Sequence, residues 1–144
     1  WRNEEATAEA LTEDGWFKSG DYAQIDEEGY IRIVDRKKEM IIVSGFNVFP
    51  SEVEEVANSH PDVFESAAIS LPSDTTGEKV KLFIVAKNPA LTVETIIQHC
   101  RQNLTAYKVP KDIVFVKDLP KSNIGKILRR ELREQELAKL KASS

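Results

Sequence analysis

The stretch Pro120-Lys121-Ser122-Asn123-Ile124-Gly125-Lys126 joins a proline, a short polar turn and a glycine–lysine pair immediately ahead of a basic stretch. Gly125 lets the backbone turn tightly at little steric cost. Lys126 then stands at the end of the loop as a compact point charge, the kind of group that neutralises a carboxylate or a phosphate. The competing reading is a solvated lysine in an ordinary strand-to-helix turn. Two more charged motifs lie far upstream, Gly15-Trp16-Phe17-Lys18-Ser19-Gly20-Asp21 and Ile33-Val34-Asp35-Arg36-Lys37-Lys38-Glu39. Taken by themselves they allow plain readings. Asp21 caps a turn after Gly20, Arg36 pairs on the surface with Asp35 or Glu39, and Gly45, after Ser44, makes a turn or bulge.

The elements that must position these residues follow from pattern. Residues 1–15 are polar and end on the turn signal Asp14-Gly15. Tyr22–Ile25 and Tyr30–Val34 read as strands joined by a turn at Asp26-Glu27-Glu28-Gly29. Asp35–Glu39 is a charge run and a natural boundary. Met40–Val43 is a short apolar strand, followed by Ser44-Gly45 and a strand or turn at Phe46–Phe49. Pro50 suits the first position of a helix, with Glu52, Glu54 and Glu55 at its positive end and Val53, Val56 and Ala57 on its apolar face. Val63–Leu71 and Val80–Ala86 are strands joined by a polar loop, Pro72–Glu78. Thr92 caps a helix that runs through Leu104, with Ile96, Ile97, Cys100 and Leu104 on one side. Tyr107–Pro110 is a linker, Ile113–Val116 a strand, and Ile127–Lys141 a helix with Leu128, Leu132, Leu137 and Leu140 on one stripe. The order of elements from residue 36 onward describes an α+β domain, a small β-sheet with helices packed against it. Ala142-Ser143-Ser144 is expected to fray.

Bulk properties narrow the function. A chain of 144 residues, 41% hydrophobic, buries a core and holds one domain, or one domain plus a piece of another. A net charge of -4 argues against general nucleic-acid binding, although basic residues cluster at Arg36–Lys38 and from Lys117 to Arg133. Cys100 is the only cysteine and falls in an apolar helical pattern, and the only histidines are His60 and His99, so neither a disulfide framework nor a metal site is expected. No signal peptide or transmembrane run is apparent, which makes a cytoplasmic location the default expectation. The chain opens on Trp1 instead of methionine, and a piece of a longer protein is expected.

The motifs together resemble the adenylate-forming enzyme superfamily: acyl-CoA synthetases, aryl-CoA ligases, firefly-type luciferases and peptide-synthetase adenylation domains. The string from Asp14-Gly15-Trp16 through Asp35-Arg36-Lys37-Lys38 is similar to the signature of fatty acyl-CoA synthetases. Met40–Glu55, Tyr107-Lys108-Val109-Pro110-Lys111 and the stretch from Pro120 to Leu132 resemble the bacterial long-chain fatty-acid–CoA ligases in particular. The resemblance covers essentially the whole chain, and several ordered motifs are more specific than any one.

This resemblance implies an acid–thiol ligase working in two half-reactions. A fatty acid and Mg-ATP give acyl-adenylate and pyrophosphate, and CoA then displaces AMP to give acyl-CoA. ATP, Mg2+ and CoA are the implied cofactors, bound mainly by a large N-terminal domain of which residues 1–35 resemble the last strands. Residues 36–144 resemble the mobile C-terminal catalytic domain. Asp21 matches the aspartate that binds the ribose hydroxyls of ATP, and a carboxylate does accept two hydrogen bonds from a vicinal diol. Arg36 matches the nucleotide-contacting arginine after the hinge-region aspartate. Lys38, with Asp35 as its near neighbour, matches the hinge about which the domain swings. Gly45 matches the glycine beside the CoA pantetheine tunnel, where lack of a side chain permits close approach. Lys126 matches the catalytic lysine of adenylation, bridging the substrate carboxylate and the α-phosphate where charge builds up. The phosphate loop, adenine pocket and acyl tunnel of the family are not in the sequence, so the chain alone is expected to be inactive. Trp16, Phe17, Tyr22 and Tyr30 are expected to lack cover from residues 36–144. Medium-chain and aryl-CoA ligases are the nearest alternatives. Another is a non-catalytic module that binds CoA, a partner protein or a membrane surface, the last peripherally through Arg129, Arg130 and Arg133.

Overall fold

The computed structural model describes residues 3–143. The chain divides into two separately packed units, residues 1–38 and 39–144.

In the first unit, Glu4–Ala10 form a helix, α1, where the polar composition suggested no element. Asn3 caps it by accepting from the Ala6 amide at 3.0 Å, and Glu4 and Glu5 sit at its positive end. No residue of α1 is buried, so no apolar periodicity marks it in the sequence. A tight turn follows, in which the Thr12 hydroxyl accepts from the Trp16 amide at 2.9 Å. Asp21–Ile25 (β1) and Ile31–Arg36 (β2) then pair as an antiparallel hairpin. The Asp26 carboxylate holds its turn by accepting from the amides of Glu28 and Tyr30 at 3.0 and 2.9 Å. The charge run is divided in use, since Asp35 and Arg36 finish β2 and Lys37–Glu39 make one 3-10 turn. Trp16, Phe17 and Tyr30 are each at least 70% exposed, as their lack of cover predicts, whereas Tyr22 is half-buried.

The second unit is a mixed sheet covered on both faces. Ile41–Val43 (β3) and Phe46–Val48 (β4) form a two-residue hairpin. Pro50 opens the helix Pro50–Asn58, α2. Val63–Ser73 (β5) and Gly77–Ala86 (β6) form a long antiparallel ladder from Val63↔Ala86 to Ser73↔Gly77. The expected polar loop Pro72–Glu78 is therefore mostly strand. Its turn is reduced to Asp74–Thr76 because the Thr76 hydroxyl reaches Ser73 Oγ at 2.9 Å and the Glu78 carbonyl at 2.7 Å. Thr92 caps Val93–Asn103 (α3) by accepting from the Thr95 amide at 3.3 Å, and Leu104 ends it. Asp112–Phe115 (β7) adds in parallel to β6. The strand order is β4-β3-β6-β5, with β7 beside β6.

Alternation along the central strands makes two cores. Val80, Leu82 and Ile84 of β6 face α2 and α3, packed with Val53, Ala57, Ile96 and Cys100. Ala67, Ile69, Leu71 and Phe83 face the other way, onto Leu119 and Leu132. Leu132 belongs to Arg129–Ala142, α4. Each of the larger of these side chains, Val, Leu, Ile or Phe, contributes about 1.5–3 kcal/mol when removed from water. The Tyr107–Pro110 segment is not a free linker. It contains a 3-10 turn at Ala106–Lys108, and Val109 enters the core on the α2/α3 side. α4 starts at Arg129, two residues later than the leucine stripe suggested, because Ile127 pairs across the loop with Lys121. Ser143 caps its end through its amide and hydroxyl on the Lys139 carbonyl, Ala142 is the last residue of the helix, and Ser144 lies outside the described residues.

Candidate functional site

The lysine loop is built from its backbone outward. The Ser122 amide donates to the Lys126 carbonyl at 2.8 Å, the Gly125 amide to the Ser122 carbonyl at 2.9 Å, and the Leu128 amide to the Pro120 carbonyl at 2.8 Å. The Lys126 amide adds a bond to Ser122 Oγ at 3.2 Å. Gly125 has φ +80, the left-handed conformation that a side chain would strain, which explains glycine here. The feet of the loop are apolar: Leu119 is buried in the α4-side core and Ile127 packs against it. Lys121 ties the loop to β5 through an ion pair with Glu65 at 2.8 Å. The Lys126 side chain is exposed and makes no ion pair or hydrogen bond with any described residue. A rigid backbone thus presents an uncommitted ammonium, suited to a ligand's anion.

Gly45 sits in the turn of the β3–β4 hairpin. Ser44 and Gly45 both have positive φ, 52 and 85, the backbone a two-residue turn of this hand requires. The turn is fixed to the sheet by the Ser44 amide on the Thr76 carbonyl at 2.9 Å and by the pairing of Val43 with Gly77. A Cβ on Gly45 would meet nothing within 4 Å, so the space over this backbone is open. Beside it, the half-exposed Phe46 ring stacks on Tyr107 at 4.7 Å, and Lys108, paired with Glu52 at 2.7 Å, lies 5.8 Å from the Tyr107 ring centre.

Lys126 and Gly45 are not brought together. The lysine loop is tied to β5 at Glu65, while the glycine hairpin is tied to the turn after Ser73. Those two strand positions are eight residues apart, and about 3.3 Å per residue puts about 26 Å between them.

Asp21 and Arg36 are brought together. They are paired in the β1–β2 register, with Arg36 Nε 3.2 Å from Asp21 Oδ1. The plain reading of Arg36 therefore has the wrong partner, since its carboxylate is Asp21 and neither Asp35 nor Glu39. Asp21 is the better covered of the two, 18% exposed against 62%. One face thus offers a carboxylate acceptor beside a guanidinium fork, a donor–acceptor set that suits a ribose diol next to a phosphate. Asp35 is buried at the end of β2, and Lys38 is exposed in the 3-10 turn that closes the first unit.

A charge cluster within the second unit is not marked by any local pattern in the sequence. Glu54 of α2, expected only to decorate a helix N-terminus, is 9% exposed. One of its oxygens accepts from the Ala68 amide on the β5 edge at 2.8 Å. The carboxylate also receives the Arg129 fork, Nε at 2.8 Å and Nη2 at 2.7 Å, and Arg129 Nη1 meets Glu39. Arg133 is similarly engaged, with its Nε on Ser70 Oγ at 2.9 Å. Of the arginines assigned to a membrane surface, only Arg130 projects fully into solvent, 90% exposed and paired with Glu134 at 2.8 Å. No local signal marks Glu54, because its partners lie 14 and 75 positions away in the chain. Cys100 is a core residue whose burial pushes its thiol up to about 11, so it stays a neutral thiol near pH 7. Among the described residues, no group of three or more His, Cys, Asp or Glu side chains could hold a metal ion, and no helix is long and apolar enough to cross a membrane.

Comparison with known proteins adds to this geometry. The family profile of the AMP-binding enzyme C-terminal domain matches residues 52–126. A long-chain-fatty-acid–CoA ligase of Salmonella typhimurium is 55% identical over 140 residues, covering 97% of this chain and 25% of the relative. The chain thus spans about a quarter of the length of the curated relatives it matches. Among solved structures, ATP-bound MatB from Rhodopseudomonas palustris superimposes with a TM-score of 0.89 at 37% identity, over 94% of this chain and 27% of that one. A Mycobacterium tuberculosis fatty acyl CoA synthetase does so with a TM-score of 0.75 at 42% identity, over 96% and 28%.

Proposed function

This chain belongs to the AMP-binding enzyme C-terminal domain family, and on that premise we propose that it is the C-terminal part of a long-chain fatty-acid–CoA ligase. In this reading the full-length enzyme activates a fatty acid with Mg-ATP to the acyl-adenylate and then transfers the acyl group to CoA. Lys126 serves the first step. Its ammonium bridges the fatty-acid carboxylate and the α-phosphate and stabilises the charge that develops as the carboxylate attacks and pyrophosphate leaves. The role is electrostatic and orienting, with no proton transferred. Asp21 accepts from the ribose hydroxyls, and Arg36 contacts the nucleotide beside it. Gly45 serves the second step, leaving room for the pantetheine arm along the open backbone. Asp35 and Lys38 bracket the pivot between residues 1–35, part of the N-terminal domain, and residues 36–144, the mobile domain.

The observation that carries this reading is the separation of the lysine loop and the glycine hairpin to opposite ends of one sheet. A single rigid domain with such ends serves two half-reactions by presenting one end and then the other, a rotation that a short solvated segment around Lys38 can absorb. A membrane-binding module is less well supported, because Arg129 and Arg133 are already engaged within the fold.

The test is Lys126→Ala in the full-length enzyme, with the half-reactions followed separately. Acyl-adenylate formation is expected to be lost, and thioester formation from pre-made acyl-adenylate and CoA to survive. Equal loss of both would reduce Lys126 to a folding or docking residue. The 144-residue chain by itself is the blank, and robust ATP–pyrophosphate exchange from it would overturn the division of labour.

A further inference from the structure

Arg129 stands three residues after Lys126, at the start of α4, where the lysine loop closes through the Leu128 amide on the Pro120 carbonyl. Its side chain is 18% exposed and spans two carboxylates. The fork on Glu54 fixes the base of the loop to α2 and, through the Ala68 amide, to the edge of β5. Its Nη1 meets Glu39, the last residue of the 3-10 turn Lys37–Glu39 and the first residue of the second unit. The residue directly after Lys38 is thus bonded to the guanidinium at the root of the lysine loop.

We propose that Arg129 and Glu39 are positioning residues that clamp the root of the Lys126 loop to the point where the chain enters the second unit. The inference rests on the reading of Lys126 as the adenylation residue and of Lys38 as part of the pivot. Its physical basis is the fork geometry. A guanidinium bonded to two separate carboxylates holds three chain segments in one arrangement, which an ammonium in its place cannot reproduce. With the clamp in place, the loop and the entry segment turn as one body, and the orientation set at the pivot reaches the Lys126 ammonium without slack. Without it, the loop keeps its fold through Leu119 and Ile127 but points its lysine less sharply. The step that uses Lys126 then suffers, whereas the step that uses the far end of the sheet does not.

Glu39→Gln in the full-length enzyme is the primary test, because Glu39 is partly exposed and the Arg129–Glu54 fork survives its loss. Adenylation kcat is expected to fall by up to about 100-fold, the loss that misplacement of a reacting group by about 1 Å can produce. KM for ATP, the thioester half-reaction and the melting temperature are expected to stay unchanged. Arg129→Lys, which keeps the charge and loses the fork, is expected to show the same split between half-reactions, and Glu39→Asp to recover part of the adenylation rate. Equal slowing of both half-reactions, no change in either, or loss confined to thermal stability would overturn the clamp. Lys126→Ala is run beside these variants. If it spares adenylation, the functional reading itself has failed. If it abolishes adenylation while Glu39→Gln leaves the rate intact, only the clamp has failed.

Discussion

At the Glu65 end of the sheet a lysine is displayed by a loop whose every support is internal: apolar feet, a net of backbone hydrogen bonds and an ion pair to β5. At the Gly77 end a hairpin is held by the Val43–Gly77 pairing, by the Ser44 amide on the Thr76 carbonyl, by the Ile42 amide on the Glu78 carboxylate and by the buried Ile41, Val43 and Val48, and at its turn Gly45 displays no side chain at all. In the proposed reading one end supplies a charge that its loop must aim. The other supplies open space over a backbone, which the left-handed conformation at Gly45 keeps free of side chain while the strands beneath are anchored in the core. Chemistry by a side chain and chemistry by the absence of one place different demands on the surrounding structure, and substitutions should tell them apart.

The largest effect is expected from Lys126→Ala, with adenylation reduced on the order of 10²–10³-fold, as for loss of one preorganised electrostatic contact. Thioester formation is the control, and a matching drop there would erase the contrast between the two ends. Leu119→Ala attacks the supports of the same end. Its buried side chain is expected to account for about 2–5 kcal/mol, read by urea denaturation, with adenylation impaired more than thioester formation. At the other end, Gly45→Ala places a methyl group in open space at φ +85. The backbone strain is about 1–2 kcal/mol. Thioester formation is expected to fall through obstruction of the ligand's approach to the backbone, with adenylation retained; the reverse pattern would exchange the roles of the two ends.

The smallest effect concerns acid stability midway along the sheet, where Glu136 of α4 meets Lys81 of β6. Burial alone pushes the Glu136 carboxyl up, but hydrogen bonds from Lys139 and Lys81 outweigh it and hold the group below its ordinary 4.5. A carboxylate lowered on folding adds stability that is present above its unfolded pKa and lost as pH falls through the folded one. The stability gap between the parent chain and Glu136→Gln should therefore be full at neutral pH and close on acidification. A gap that stays constant with pH would show that the Lys81–Glu136 contact contributes packing and little charge.

Much of this architecture was legible because its causes are local. Pro50 opens α2, Thr92 caps α3, and the apolar runs at Ile41–Val43 and Val80–Ala86 become strands. Helix α1 was not legible, because Glu4–Ala10 buries nothing and leaves no periodic trace. The extent of β5 and β6 was understated, because polar residues in Pro72–Glu78 signalled a loop although a ladder tolerates them wherever its faces meet water. Lys126 stood out through its neighbours Gly125 and Pro120. Glu54 did not, being one glutamate among several at a helix start.

The sequence by itself determined the main helices and strands of the second unit, the α+β class, the core role of Cys100 and the presence of a lysine on a glycine-backed loop. These depend on backbone preference, side-chain periodicity and residue chemistry, which act over a few positions. Tertiary structure alone decided that Asp21 meets Arg36, that Arg129 joins Glu54 to Glu39, and that Lys126 and Gly45 lie at opposite ends of a sheet. Those outcomes depend on strand register and on which charges must find partners as they lose water. Both are settled only when distant segments pack, because a buried charge left alone costs more than any local preference can offset.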